Sequence, residues 1–142
     1  MSSPLGGIAD YSAWIYGLPE RHSFVTGSTL VLAPIGATLA KLEGRLECAG
    51  GIRVDVWELV DFSTRRIRAY SYEVYRGGEK VCWYDAWEHP EIAALAATFP
   101  HHKHVAPDLR HNRVPAPGIR FEAPNLEVVL DDIRGELPRQ TG

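Results

Sequence analysis

Ile67-Arg-Ala-Tyr70-Ser-Tyr72-Glu-Val-Tyr75, Arg76-Gly-Gly-Glu79 and Lys80-Val-Cys-Trp83-Tyr-Asp85-Ala-Trp87 read consecutively as a strand, a two-glycine turn and a second strand. β-Branched and aromatic residues fill both arms, the side chains that pack best on a pleated surface. The Gly-Gly centre suits the tight turn of a hairpin, which requires positive φ. A lone hairpin is marginal in water, so these arms call for further strands beside them. Immediately upstream, Thr38 to Cys48 and Ile52 to Phe62 flank Ala49-Gly50-Gly51, a second hairpin. Leu39, Leu42 and Leu46 also fit helical spacing, but Gly44 and the glycine turn favour a strand over 38–48. In the partner segment Val54 and Val56 alternate with Arg53 and Asp55, before Trp57 and Leu59 blur the pattern. Phe24 to Leu32 adds another β-rich run, interrupted by Pro34 and Gly36. Short consecutive connections make an antiparallel meander of four to five strands the expected sheet.

Outside the meander the signals change. Residues 1–9 are small and rich in Gly, Pro and Ser and are expected to be flexible, followed by an aromatic entry segment at Tyr11, Trp14 and Tyr16. Glu91 to Thr98 reads as a short Ala-rich helical turn ended by Pro100. His101 to Pro117 has no long apolar run and reads as a loop or an extended surface segment. Asn125 is the expected N-cap of a C-terminal amphipathic helix, whose Leu126, Val129, Leu130, Ile133 and Leu137 recur at helical spacing. The expected fold class is therefore α+β: the meander with one or two helices packed on it, in one domain over 10–137 with a flexible tail at 138–142.

Composition narrows the function classes. The chain has 142 residues, 45% hydrophobic and 23% charged, which is globular rather than disordered. A formal charge of −3 excludes a protein that binds polyanions over its whole surface, so any nucleic-acid contact needs a local basic patch. Lys103, Arg110 and Arg113 against Asp108 form one. Cys48 and Cys82 show no CxxC spacing and read as buried reduced thiols. Neither a signal peptide nor an apolar run of membrane-spanning length is seen, so a cytoplasmic protein is expected, without membrane partners.

Four of the six histidines fall in one run, His101-His102-Lys103-His104 and, after it, His111. Histidine titrates near neutral pH and both takes and gives protons. If 101–105 is extended, His102 and His104 share one face and His101 and Lys103 the other. Two imidazoles beside fixed positive charge are the equipment of metal-free RNA cleavage: a base for the 2′-OH, an acid for the leaving 5′-oxygen, and a cation for the phosphate. His102 and His104 are the expected proton-transfer pair, with Lys103 or Arg110 on the phosphate. Asp85 and His89 would orient an imidazole. Tyr70 and Tyr72, on one strand face, read as packing residues, with base stacking or a phosphate contact as the functional alternative. Trp57, Trp83 and Trp87 read as core or interface. A metal reading would use Asp85, His89, His102 and His104, but the interleaved lysine opposes it and no HExxH or Cys/His framework is present; no metal or other cofactor is expected.

GSTLVLAPIGATLAKLEGRLE, YSYEVYRGGEKVCWYD, His89-Pro90, TFPHHKHV and HNRVPAPG, followed by an amphipathic helix, together resemble the TumE family over roughly Phe24 to Ile133. These are small proteins encoded in bacterial toxin–antitoxin pairs. The resemblance implies a growth-inhibiting toxin that acts as a ribonuclease. Its implied partner is a helix-turn-helix antitoxin that also binds operator DNA. Tyr70, Tyr72, Asp85, His89, His101, His102, Lys103 and His104 match the family's motif positions. The catalytic candidates are thus His101, His102, Lys103, His104, Tyr72, Asp85 and His89, and the RNA-binding candidates Tyr70, Arg110, His111 and Arg113. Three functions stay open: a metal-independent endoribonuclease, a metal-dependent nuclease or other metalloenzyme, and a toxin that only binds and blocks its target. An apolar strip left uncovered without the antitoxin would also favour a homodimer.

Overall fold

The computed structural model describes residues 4–86, 101–105, 113–116 and 118–136. Its centre is the meander read from the sequence: β3 (Leu39–Cys48), β4 (Ile52–Asp61), β5 (Arg66–Arg76) and β6 (Glu79–Ala86), each antiparallel to the next. The β5–β6 hairpin closes at the pair Arg76 and Glu79, and Gly77 and Gly78 both take positive φ (58° and 87°), as the two-residue turn demands. The fold is α+β as expected.

The sheet is wider than four or five strands; eight are paired among the described residues. At one edge the run 24–32 splits into β1 (Val25–Ser28) and β2 (Val31–Pro34), which lie end to end along β3. Gly44 causes the split. Its φ is 143°, and a Cβ there would stand 2.5 Å from the Thr29 carbonyl oxygen and 2.8 Å from the Leu30 Cα. The chain crosses over at the one position with no side chain, and Thr29 hands its N–H to the Arg45 carbonyl at 2.8 Å. At the other edge β7 (His101–Val105) pairs with β6, and β8 (Arg113–Pro115) pairs with β7. The sequence left this run open between a loop and an extended segment because Val105 is its one apolar residue, and the inward His101 and Lys103 are held by polar partners.

One face of the sheet is covered by helices. α1 (Ile8–Tyr16), the four-residue α2 (Leu18–Arg21) and α3 (Leu126–Glu136) contribute Tyr11, Ile15, Leu18, Leu126, Val129, Leu130 and Ile133 to a single core with Val54, Val56, Val60, Tyr72, Val74 and Tyr84 of the sheet. Part of the stretch 1–9, expected to be flexible, carries regular structure. Pro4–Gly6 forms a 3-10 turn with Leu5 fully buried, and α1 begins at Ile8. Gly7, at the N-cap of α1, supplies no side-chain cap, which removed the usual start signal. Asn125 does precede α3, but its side chain fixes the preceding loop instead: Oδ1 accepts from the Arg120 N–H (3.0 Å) and Nδ2 donates to the Arg120 carbonyl (2.8 Å). The turn expected over 91–98, Leu137 and the tail 138–142 lie outside the described residues.

Gly44→Ala forces a Cβ into the crossing backbone at a φ that L-residues resist. It is expected to lower stability by about 2 kcal/mol or more, seen as a reduced urea midpoint at unchanged slope.

Candidate functional site

The alternation of β7 divides the histidine run between the two faces of the sheet. Pairing with β6 places His104 opposite Trp83, Lys103 opposite Tyr84, His102 opposite Asp85 and His101 opposite Ala86. Tyr84 belongs to the helix-covered face, so Lys103 and His101 share that face, and His104 points to the opposite one, where it is 4% exposed. The division matches the strand alternation expected from the sequence.

On the covered face both Lys103 and His101 are paired. The Lys103 ammonium, 3% exposed, lies 2.9 Å from Asp132 Oδ2 of α3, and the Tyr84 hydroxyl donates to the same oxygen. Asp132 therefore clamps α3 to β6 and β7. His101 stacks on Tyr70 and holds its hydroxyl 2.6 Å from Nδ1, with Phe121 against the imidazole. Tyr70 stacks in turn on Tyr72 (centroids 5.0 Å apart). Burial, with the Asp85 charge nearby, pushes the Tyr70 phenol well above its ordinary value. Tyr72 is fully buried and donates to Glu58 Oε2, while Tyr11 of α1 donates to Oε1.

Glu58 is the polar residue that sequence reasoning missed. It has no exposure, and burial lifts its carboxyl to about 7 against the opposing pull of the two tyrosine hydrogen bonds. The signal was present. Carrying the two-residue period of Val54 and Val56 forward puts Glu58 on the core face and Trp57 and Leu59 outward, which β4 confirms with Glu58 buried and Trp57 37% exposed.

On the opposite face three side chains converge. His104 Nε2 lies 3.2 Å from Asp85 Oδ1, and the Trp83 indole N–H donates to Asp85 Oδ2 at 3.3 Å. The Trp83 and His104 rings stack with centroids 3.8 Å apart and planes 19° from parallel. Trp83, read from the sequence as core or interface, thus contacts both members of the pair. His102 stands beside Asp85 in the register, and Arg113 of β8 pairs opposite His104. The structure therefore groups Asp85, His104 and Trp83, with His102 and Arg113 beside them in the strand register. It separates Lys103, His101, Tyr70 and Tyr72 from them by the thickness of the sheet. His89, Arg110 and His111 lie outside the described residues. No group of three metal-ligating side chains occurs among the described residues. A carboxylate against an imidazole fixes the ring's orientation and tautomer, the arrangement used to prepare a general base.

No helix among the described residues is long and apolar enough to cross a membrane. Compared with known families, the chain matches the family model described as toxin TumE over residues 18–137. No curated protein and no solved structure gives a match.

The raised carboxyl of Glu58 has a signed consequence. Between about 4.5, its ordinary value, and about 7 the folded protein holds a proton that the unfolded chain has released. Its stabilising contribution is complete below the lower limit and is lost as pH rises through the window, on the order of 3 kcal/mol in all. Glu58→Gln is expected to flatten that part of the stability–pH curve, measured by urea denaturation at half-unit pH steps.

Proposed function

The chain belongs to the TumE toxin family, and we propose that it acts as the toxin of a toxin–antitoxin pair by cutting RNA without a metal, using His102 and His104. The observation that carries this reading is the 3.2 Å contact between Asp85 and His104, with His102 paired opposite Asp85 in the register. With Nε2–H donated to Asp85, the basic lone pair of His104 is on Nδ1. That nitrogen takes the proton of a ribose 2′-OH. The 2′-oxygen attacks phosphorus, the bond to the 5′-oxygen breaks, and His102 delivers a proton to the departing oxygen. The products are a 2′,3′-cyclic phosphate and a 5′-hydroxyl, so atoms and protons balance. Arg113, opposite His104, brings fixed positive charge to the phosphate. That part falls to Arg113 because the Lys103 ammonium is bound to Asp132 on the far face. Arg110 and His111 extend the basic surface in sequence. A toxin of this family implies a cognate antitoxin; its helix-turn-helix character is part of the proposal.

The test is cleavage of labelled cellular RNA by the purified chain, with and without EDTA, beside His104→Ala and Asp85→Asn. Expected is cleavage that survives EDTA, gives cyclic phosphate ends, and falls by about 10²–10⁴-fold in His104→Ala. Loss of cleavage on adding EDTA would assign the histidines to a metal instead. A His104→Ala protein that still arrests growth would remove them from the mechanism altogether.

A further inference from the structure

Trp83 touches both partners of the pair just described, and it does so in two perpendicular ways. Its N–H lies at 3.3 Å from Asp85 Oδ2, leaving Oδ1 for His104. Its ring face lies 3.8 Å from the imidazole centroid and nearly parallel to it. The bond to Asp85 fixes the His104 ring within its own plane, and the stack fixes it along the normal to that plane. Either constraint alone leaves one rotation of the ring open. Residues 83 and 85 alternate outward on β6, and His104 pairs opposite Trp83, so the arrangement follows from the sheet register and not from a loop.

A second layer supports the indole. The Lys80 ammonium lies 4.9 Å from the Trp83 ring centroid and is held by Glu73 at 2.9 Å. Lys80 also lies 5.7 Å from the Tyr75 ring, and the Tyr75 hydroxyl donates to Glu73 at 2.9 Å. Tyr75, Glu73 and Lys80 therefore pin the indole from β5 and the start of β6.

From this geometry we propose that Trp83 is a positioning residue: it holds Asp85 and His104 in the orientation needed for proton transfer and does not itself bind RNA. The role rests on the ribonuclease reading, but the orientation of His104 can be measured without any turnover. Stacking on an indole shifts imidazole ring protons upfield and restricts the ring to one rotamer.

The experiment compares the full-length chain with Trp83→Phe and Trp83→Leu, each checked for unchanged thermal unfolding. Trp83→Phe keeps an aromatic face and loses the N–H; Trp83→Leu loses both. NMR of the histidine side chains, assigned with His104→Ala, reports the ring environment, and RNA cleavage reports kcat and KM. In Trp83→Leu the upfield shift of His104 should vanish and kcat should fall about tenfold or more with KM within twofold, the pattern of a misplaced catalytic group. Trp83→Phe should recover part of both signals. A Trp83→Leu protein whose KM rises while kcat stays would make Trp83 a base-stacking residue and overturn the proposal. So would a native chain whose His104 resonances are insensitive to either substitution. If no variant and no native protein cleaves RNA, the ribonuclease reading fails, and the NMR comparison alone still decides whether Trp83 positions His104.

Discussion

A carboxyl group with no exposure cannot stand in an apolar core unless its oxygens are bonded, and Glu58 meets that condition with two tyrosines from different elements. Tyr72 comes from the adjacent strand, so its bond costs little chain ordering. Tyr11 comes from α1, 47 positions earlier in the sequence. The helix is thereby tied to the middle of the sheet, with Leu5 and Ile15 burying apolar surface around the link. A second anchor lies at the sheet edge, where the Tyr16 hydroxyl accepts from the Leu32 N–H at 3.0 Å. That bond also covers a donor that an edge strand would otherwise offer to another chain.

The same logic repeats toward the other end of the covered face. Asp132 gathers Tyr84 and Lys103, and Tyr70 gathers His101. The Tyr84–Asp132 and Tyr70–His101 pairs each join a residue of the meander to one from the last third of the chain. The meander is thus able to fix β7 and α3, although neither β7 nor β8 carries an apolar stripe. Unpaired, each of these buried groups would cost its full desolvation; paired, they select one register.

That register is what gives the opposite face its chemistry. Because residues alternate along β7, satisfying Lys103 and His101 beneath the sheet sends His104 to the opposite side, beside Asp85 and Trp83. The histidine run lies within the residues that match the toxin family. The sheet explains why its four consecutive residues cannot act as one cluster.

Much of this was legible in the residues themselves. The β5–β6 hairpin, its glycine turn, the β3–β4 pair and the apolar stripe of α3 follow from local rules of period and turn geometry, which need no partner to be read. The split of His102 and His104 from His101 and Lys103 follows from the same period. Asp85 was nominated as an orienting group by its sequence context alone. What the sequence did not disclose depended on atoms distant in the chain. Gly44 divides one expected strand into β1 and β2 because Thr29 crosses it. Glu58 is buried because Tyr11 and Tyr72 meet it there. Lys103 faces inward because Asp132 and Tyr84 are waiting for it. Trp83 joins the candidate site because antiparallel pairing sets it against His104. Local periodicity determined which elements exist and which residues share a face; only the tertiary structure decided which polar groups are paired across elements. A hydrogen bond or a stacked ring has a fixed length and direction, and the sequence carries neither until the strands are in register.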